Sequence, residues 1–327
     1  MADFFPEMTA RWLPLYEFLC DPTSEHPVEY VGRRLRDVAT ADLVFYSVWG
    51  RDHLTARGTL VAISGEPYLA ADHADWTIDW RHLARDRHLR VPAWAGIHAS
   101  KKDPDRFRLG SESDDPTRRR FCNFVYSNPH CGMRNAFFQL LHQYEPVDAL
   151  GSLYRNASHP ALAERNARDW GDSKVQALQD YRFTIAFENE EHPGYCTEKI
   201  MHAWQADSVP IYWGDPTIAL DFPPGSYLSL YEAGSLSKLA EQVLEAYHSP
   251  ERYDELRRAN PFRTGRVIEL LERLRERAPG FTKALVDDAT SYRGRSRLHP
   301  ARRLVRGAEF VSYFARTAGV HAVQRSA

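Results

Sequence analysis

Phe183–Pro216 reads FTIAFENEEHPGYCTEKIMHAWQADSVPIYWGDP, and the rest of the chain is best understood by how it serves this stretch. Phe183 to Phe187 is a short apolar run of β type. Thr197 to Ala206 sets Ile200, Ala203 and Trp204 at helical spacing, and Val209 to Trp213 is a second β run closed by Gly214-Asp215-Pro216. Strand, loop, helix and strand in this order make a βαβ unit, with a long polar loop before its helix. Ligands of such units lie beyond the carboxyl ends of the strands, where Glu188, Asn189, Glu190, Glu191, His192, Gly194 and Tyr195 fall.

Thr197 is a good helix cap, and the free N–H groups of the first helical turn favour anions. Lys199 adds a positive charge there, an arrangement that suits a pyrophosphate, and Glu198 is placed to accept hydrogen bonds from a ribose diol. On residue type and spacing alone the same pair also reads as a solvated Glu-Lys start to an ordinary helix. Both readings stand at this level.

The stretch resembles the donor-binding motif of the α1,3-fucosyltransferases, the family-ten glycosyltransferases. The matching pieces are Phe187-Glu188-Asn189, Gly194-Tyr195-Cys196-Thr197-Glu198-Lys199 and Pro210-Ile211-Tyr212-Trp213-Gly214, with the family's internal spacing kept. Six further segments are similar to the same family. In the N-terminal half these are Gly65-Glu66 at the end of the strand Thr59 to Ile63, then Asp75 to Asp79 and Arg87 to Pro92. Phe121 to Pro129 and Met133 to Phe137 follow, and Pro146 to Tyr154 departs from the family pattern at Ala149-Leu150-Gly151.

The resemblance implies an α/β protein of the GT-B class, with two Rossmann-like domains facing across a cleft. It implies an inverting transfer of L-fucose from GDP-β-L-fucose to an N-acetylglucosamine or glucose hydroxyl, through an α1,3 or α1,4 link. Glu66 would be the general base. Gly65, Arg134, Asn189, Tyr195, Glu198 and Lys199 would bind the donor, with Arg134 and Lys199 neutralising the leaving diphosphate. The same fold acting on another nucleotide sugar, or a binding protein without turnover, are the rival implications.

The residues themselves add local expectations. Glu66, at a strand end punctuated by Gly65 and Pro67, reads equally as a loop hydrogen-bonder or a base. Met133, Phe137, Leu140, Leu141 and Tyr144 form the apolar side expected of a helix from Met133 to Tyr144. Arg134 lies off that side in its first turn, where a cation is unfavourable unless an anion is nearby. Lys174 to Tyr181 is expected to be a helix leading into the central unit, and Leu236 to Tyr247 another.

At 327 residues, 43% of them hydrophobic, the chain can bury cores for two domains. Composition sets off a linker and a tail, and with them the resemblance implies an N-terminal acceptor-binding domain with its linker over residues 1–117, a GDP-fucose-binding domain over 118–290 and a basic tail over 291–327. Lys101 to Arg120 is polar, carries two Asp-Pro steps and reads as linker. The tail holds eight arginines against the single acid Glu309 and is therefore about +7 in a chain of net charge −2. Leu304, Ala308, Val311 and Ala315 share one arc of a helical wheel, with Arg302, Arg306 and Arg316 opposite. This pattern fits a helix on an anionic membrane surface or one docked on the body. Net charge near zero and the lack of basic-aromatic interleaving argue against nucleic acid. The fourteen histidines show no ligand spacing, so no metal and no cofactor beyond the donor are expected. Cys20, Cys122, Cys131 and Cys196 read as reduced thiols. Without a signal-like start or a run of 18 apolar residues the expected setting is the cytoplasm, and the resemblance implies the bacterial type of the family, peripheral to the inner membrane through its tail.

Overall fold

The computed structural model describes residues 38, 40–48, 52–67, 74–95, 120–163 and 170–292. Nearly all of the linker and the basic tail from residue 293 lie outside them. The described residues up to Val91 together with those from Leu274 to Tyr292 form one compact unit, and those between Pro92 and Arg273 form a second. The expected boundaries, 117 and 290, differ from these.

In the first unit four parallel strands follow one another across a sheet: β1 (Leu43–Tyr46), β2 (Thr59–Ile63), β3 (Trp76–Asp79) and β4 (His88–Arg90). Strand β2 is TLVAI and buried along its whole length, as a parallel strand covered on both faces must be. The long C-terminal helix Arg266–Tyr292 supplies part of that cover. Trp76 Nε1 donates to Asp288 Oδ2 at 2.9 Å, Arg87 Nη2 donates to Asp288 Oδ1 at 3.0 Å, and Phe281 meets the Trp76 ring edge-on at 5.2 Å. These contacts are why the end of the helix belongs with the first unit.

The second unit is a five-stranded parallel sheet with helices between its strands. In chain order it contains β5 (Arg120–Phe124), α1 (Gly132–Tyr144), β6 (Val147–Ala149), α2 (Trp170–Leu178), β7 (Tyr181–Phe187), α3 (Glu198–Gln205), β8 (Val209–Trp213) and β9 (Leu228–Ser229). Then come α4 (Leu230–Ala233), α5 (Leu236–His248), α6 (Pro250–Arg258) and α7, the helix Arg266–Tyr292 already described. Tyr181, expected at the end of a helix, is the first residue of β7.

Strand order is β6-β5-β7-β8-β9. All seven residues of β7 are buried, and Phe183 to Phe187 pair in register with Val209 to Trp213. Phe137 of α1 stacks on Phe187 at 5.1 Å, and Phe124 packs on Phe138 at 4.5 Å. Inside this core Asn123 Nδ2 donates to Phe183 O and Thr184 Oγ1, so its polar side chain fixes β5 against β7. The chain winds outward from β5 to β6, then crosses back to lay β7 on the other side of β5. The strand order therefore reverses between β5 and β7, and open α/β sheets bind ligands in the crevice such a reversal leaves.

Candidate functional site

Two loops leave the sheet at this reversal, one carrying Asn128 after β5 and the other carrying Glu188 and Asn189 after β7. Arg134 joins them. It is fully buried; its Nη1 donates to Asn189 Oδ1 at 2.8 Å and its Nη2 to Asn128 O at 2.7 Å. The guanidinium carbon lies 4.1 Å from the centre of the Tyr126 ring, whose hydroxyl is within 2.9 Å of the carbonyls of Ile185 and Phe187. Arg134 is thus held by a ring, a carbonyl and an amide, and among the described residues no carboxylate pairs with it. A desolvated cation without a counter-anion is costly, and its remaining N–H groups suit a multivalent anion.

The expectation that Arg134 lies off the buried face of its helix is corrected here. Arg134, Phe137, Phe138 and Leu141 are the buried side of α1, whereas Met133 and Tyr144 are 39% and 61% exposed. The Tyr126 ring face and the two oxygen acceptors make an interior position tolerable for the guanidinium.

Glu188 is a second correction. Its carboxylate turns inward and is fully buried, accepting from Thr197 N at 2.8 Å, from the Thr197 hydroxyl at 2.7 Å and from Lys199 Nζ at 2.9 Å. Burial pushes the Glu188 carboxyl up, against the opposing pull of Lys199. Burial also disfavours the Lys199 ammonium, but Glu188 and Glu198 outweigh it and hold Lys199 well above its ordinary value. Glu188 is the counter-ion that positions Lys199 at the start of α3, so the Glu-Lys start is no simple solvated pair.

Thr197 caps α3 as expected, and Ile200, Ala203 and Trp204 are buried together with Met201 and His202. Glu198 remains part-exposed, with Lys199 Nζ 3.7 Å from its Oε1. Burial works to raise its carboxyl, yet Lys199, His202 and Lys174 together hold it well below the usual carboxylate range. It is an ionised acceptor at the mouth of a cationic site. Lys174 of α2 was not anticipated. The signal was present, since Trp170, Gly171, Ala177 and Leu178 give it no acidic partner at helical spacing.

The loop between Asn189 and Thr197 is tied down along its length. Glu191 Oε2 accepts from Trp213 Nε1 at 2.8 Å and from the Tyr231 hydroxyl at 3.0 Å. His192 N donates to Gly214 O at 2.8 Å, and Gly194 N to Asp215 Oδ1 at 2.6 Å. Glu191 is therefore an anchor rather than a substrate-lining group, Tyr195 is buried, and Asn189 is exposed. Cys122, Cys131 and Cys196 are buried free thiols.

Glu66 and Gly65 belong to the other unit. Both are part-exposed at the end of β2, where Trp80 Nε1 donates to Glu66 O at 2.9 Å and Glu66 N donates to Ser64 Oγ at 3.3 Å. The backbone that presents the carboxylate is thus held by an indole and a hydroxyl. Among the described residues no three His, Cys, Asp or Glu side chains gather as a metal site, and no helix is long and apolar enough to cross a membrane.

Residues 116–258 match the family described as Glycosyltransferase family 10 (fucosyltransferase) C-term. Arg134, Asn189, Tyr195, Glu198 and Lys199 all lie within the matched residues, and Gly65 and Glu66 lie outside them. The chain is 29% identical over 194 residues to Alpha-(1,3)-fucosyltransferase FucT of Helicobacter pylori, which covers 59% of this chain and 38% of that protein. It is 28% identical over 153 residues to GDP-fucose protein O-fucosyltransferase 3 of Canis lupus familiaris, covering 46% of this chain and 32% of that one. The match thus spans about a third of the length of either relative. A crystal structure of alpha1,3-fucosyltransferase with GDP-fucose is similar in fold, with a TM-score of 0.63 at 23% identity over 80% of each chain. That likeness is one of fold, and the two α/β units with parallel sheets are those of the GT-B class.

Proposed function

We propose that the protein is an inverting fucosyltransferase that moves L-fucose from GDP-β-L-fucose to an N-acetylglucosamine or glucose hydroxyl of a glycan, through an α1,3 or α1,4 link. The observation that carries this reading is the Arg134–Asn189 contact, which sets a buried cation without an acidic partner among the described residues at the strand reversal. Lys199 lies in the same site, at the amino end of α3. Together they form an anion site of the kind a leaving nucleoside diphosphate needs.

In this reading Arg134 and Lys199 hold the diphosphate and stabilise the charge that collects on it as the sugar bond breaks. Glu198, ionised, accepts from the ribose hydroxyls. Asn189 spends its carbonyl on Arg134 and keeps its amide hydrogens for the sugar. Tyr195 and Gly65 complete the donor contacts. Glu66 takes the proton of the attacking hydroxyl, so a single displacement inverts the anomeric centre. Arginine, lysine and helix N–H groups supply the neutralising charge without a metal. The acceptor is a lipopolysaccharide or capsular glycan built at the cytoplasmic face of the inner membrane, to which residues 291–327 bind through their arginines.

The test is release of GDP from GDP-fucose by wild type and by Glu66→Gln, with and without N-acetyllactosamine. Acceptor-dependent turnover that falls by about 10²- to 10⁴-fold in the variant, with donor binding retained, supports the assignment. Failure of wild type to bind GDP-fucose sinks it. Donor binding without turnover on any glycan or protein acceptor favours an inactive binding protein, and preference for another guanosine- or uridine-linked sugar favours a different donor.

A further inference from the structure

We propose that Arg182, at the amino end of β7, is the centre of a second oxyanion site, one that takes a phosphoryl group at the edge of the sheet opposite Arg134 and Lys199. The extended chain from Arg182 to Asn189 spans roughly 20 Å, so one anion cannot serve both places. The site is independent of the donor reading above.

An arginine is a costly residue in a strand buried along its whole length, yet Arg182 is only 9% exposed. Its guanidinium carbon lies 4.2 Å from the centre of the Tyr253 ring and 4.9 Å from that of Tyr247, so α6 and the end of α5 each lay an aromatic face on it. The Tyr253 hydroxyl donates to Arg182 O at 3.4 Å, which fixes that ring to the strand. Two ring faces offset part of the cost of burying the charge, but they leave its N–H groups without an acceptor in the guanidinium plane. Nε is buried and unpartnered, and among the described residues no carboxylate, carbonyl or hydroxyl accepts from the fork.

The acids at this edge are engaged by other cations. Asp207, just before β8, accepts from Arg257 Nε at 3.1 Å and from Arg263 Nη2 at 2.9 Å, and Arg257 itself stands 5.9 Å from the Tyr253 ring. Asp254 pairs with Arg258 at 2.9 Å, and Asp180 with His159 at 3.0 Å. Two guanidinium groups on one carboxylate leave positive charge in excess beside Arg182. Arg134 shows the same arrangement, a buried guanidinium on a tyrosine ring with its Nε unpartnered, but there two oxygens take the terminal nitrogens, and here none does. A fork stacked between rings is held planar and binds in its own plane, where a phosphoryl group offers two oxygens at the matching spacing. Only a narrow group reaches a side chain so covered, so the ligand presents a terminal phosphoryl group, on a lipid headgroup or as free phosphate.

The experiment is equilibrium dialysis of radiolabelled inorganic phosphate against the full chain in saturating GDP, at constant ionic strength, for wild type, Arg182→Met and Arg182→Lys. Flotation of the same proteins on phosphatidylcholine vesicles, with phosphatidic acid as the sole anionic lipid, runs beside it. Phosphate affinity should fall by at least about tenfold in Arg182→Met, and nearly as far in Arg182→Lys, which keeps the charge without the fork. Flotation that falls with it identifies a lipid headgroup as the source, and flotation equal in all three proteins identifies free phosphate; either result supports the site. Phosphate affinity unchanged in Arg182→Met or in Arg182→Lys overturns the proposal. All three proteins share Arg134 and Lys199, so the comparison holds whether or not GDP binds there. Hydrogen exchange of the wild type with and without phosphate covers the case in which the variants fail to fold. Exchange should slow at the start of β7 and across residues 247–253, and no change there overturns the proposal.

Discussion

Gly214 sits directly against the buried side chain of Glu188. A Cβ built on Gly214 would lie 2.3 Å from Glu188 Cγ and 2.4 Å from its Cβ, and the glycine has φ of +142°. Glu188 has no room to retreat, because Thr197 and Lys199 hold its carboxylate and Trp213 O holds its N–H at 2.8 Å. The turn after β8 is thereby coupled to the residue that positions Lys199.

Gly214→Ala is accordingly expected to cost about 2–4 kcal/mol and to weaken donor binding, since strain and overpacking fall on one spot. Gly225→Ala is the control. Gly225 also has a positive φ, +93°, but nothing lies within 4 Å of its added Cβ. It should cost about 1 kcal/mol and leave GDP affinity as in wild type. Urea unfolding of both variants with GDP titration checks the contrast, and equal costs would show that Glu188 yields.

The Glu188–Lys199 pair separates a structural from a functional role. Lys199→Met leaves a buried carboxylate with only Thr197 as donor, and should destabilise by about 3–5 kcal/mol. Glu188→Gln combined with Lys199→Met removes both charges and should recover most of that loss, giving a large coupling in a double-mutant cycle. GDP binding should stay lost in the double variant, because the diphosphate has lost its cation. Recovery of binding together with stability would place the nucleotide elsewhere.

Much of this was legible from residue order. The central βαβ unit, the cap at Thr197, the buried face of α3 and the β2 strand follow from apolar periodicity and turn residues, which act locally. What escaped depends on contacts between distant segments. Arg134 reads as an exposed first-turn cation until Tyr126, Asn128 and Asn189 are brought around it by the pairing of β5 with β7. Glu188 reads as a loop acid facing substrate, and only the return of Thr197 and Lys199 above it shows why it is buried. Lys174 has no local signature beyond lacking an acidic partner. The docking of α7 through Trp76, Arg87 and Asp288 joins residues more than two hundred positions apart, which composition does not register.

Arg134 offers the opposite signature to Lys199. Because no acid among the described residues pairs with it, Arg134→Met removes a buried, uncompensated charge and fills the space with apolar atoms. Stability should hold within about 1 kcal/mol of wild type or rise. Affinity for GDP should fall by about 100-fold, the loss of two charge-assisted hydrogen bonds to phosphate. Thermal melts and GDP titration read the two effects separately, and a strongly destabilised Arg134→Met would mean that the guanidinium serves the fold first.

His88 gives the first unit a defined pH dependence. The carbonyl of Arg81 can only accept, so His88 Nε2, 2.9 Å away, carries the proton, and Nδ1, 2.8 Å from Thr77 Oγ1, accepts from that hydroxyl. Burial lowers its pKa below 6.5 despite the pull of the Arg81 carbonyl and Asp79, which keeps the ring neutral at neutral pH with Nδ1 as the acceptor. The unfolded chain then binds the proton more readily than the folded one as pH drops through 6.5. Stability from this group is complete above 6.5 and is lost progressively down to the folded-state value. His88→Gln, which keeps a donor for Arg81 O but does not titrate, should unfold with a shallower dependence between pH 5 and 6.5 than wild type. Equal slopes in the two proteins would assign the acid sensitivity to another group.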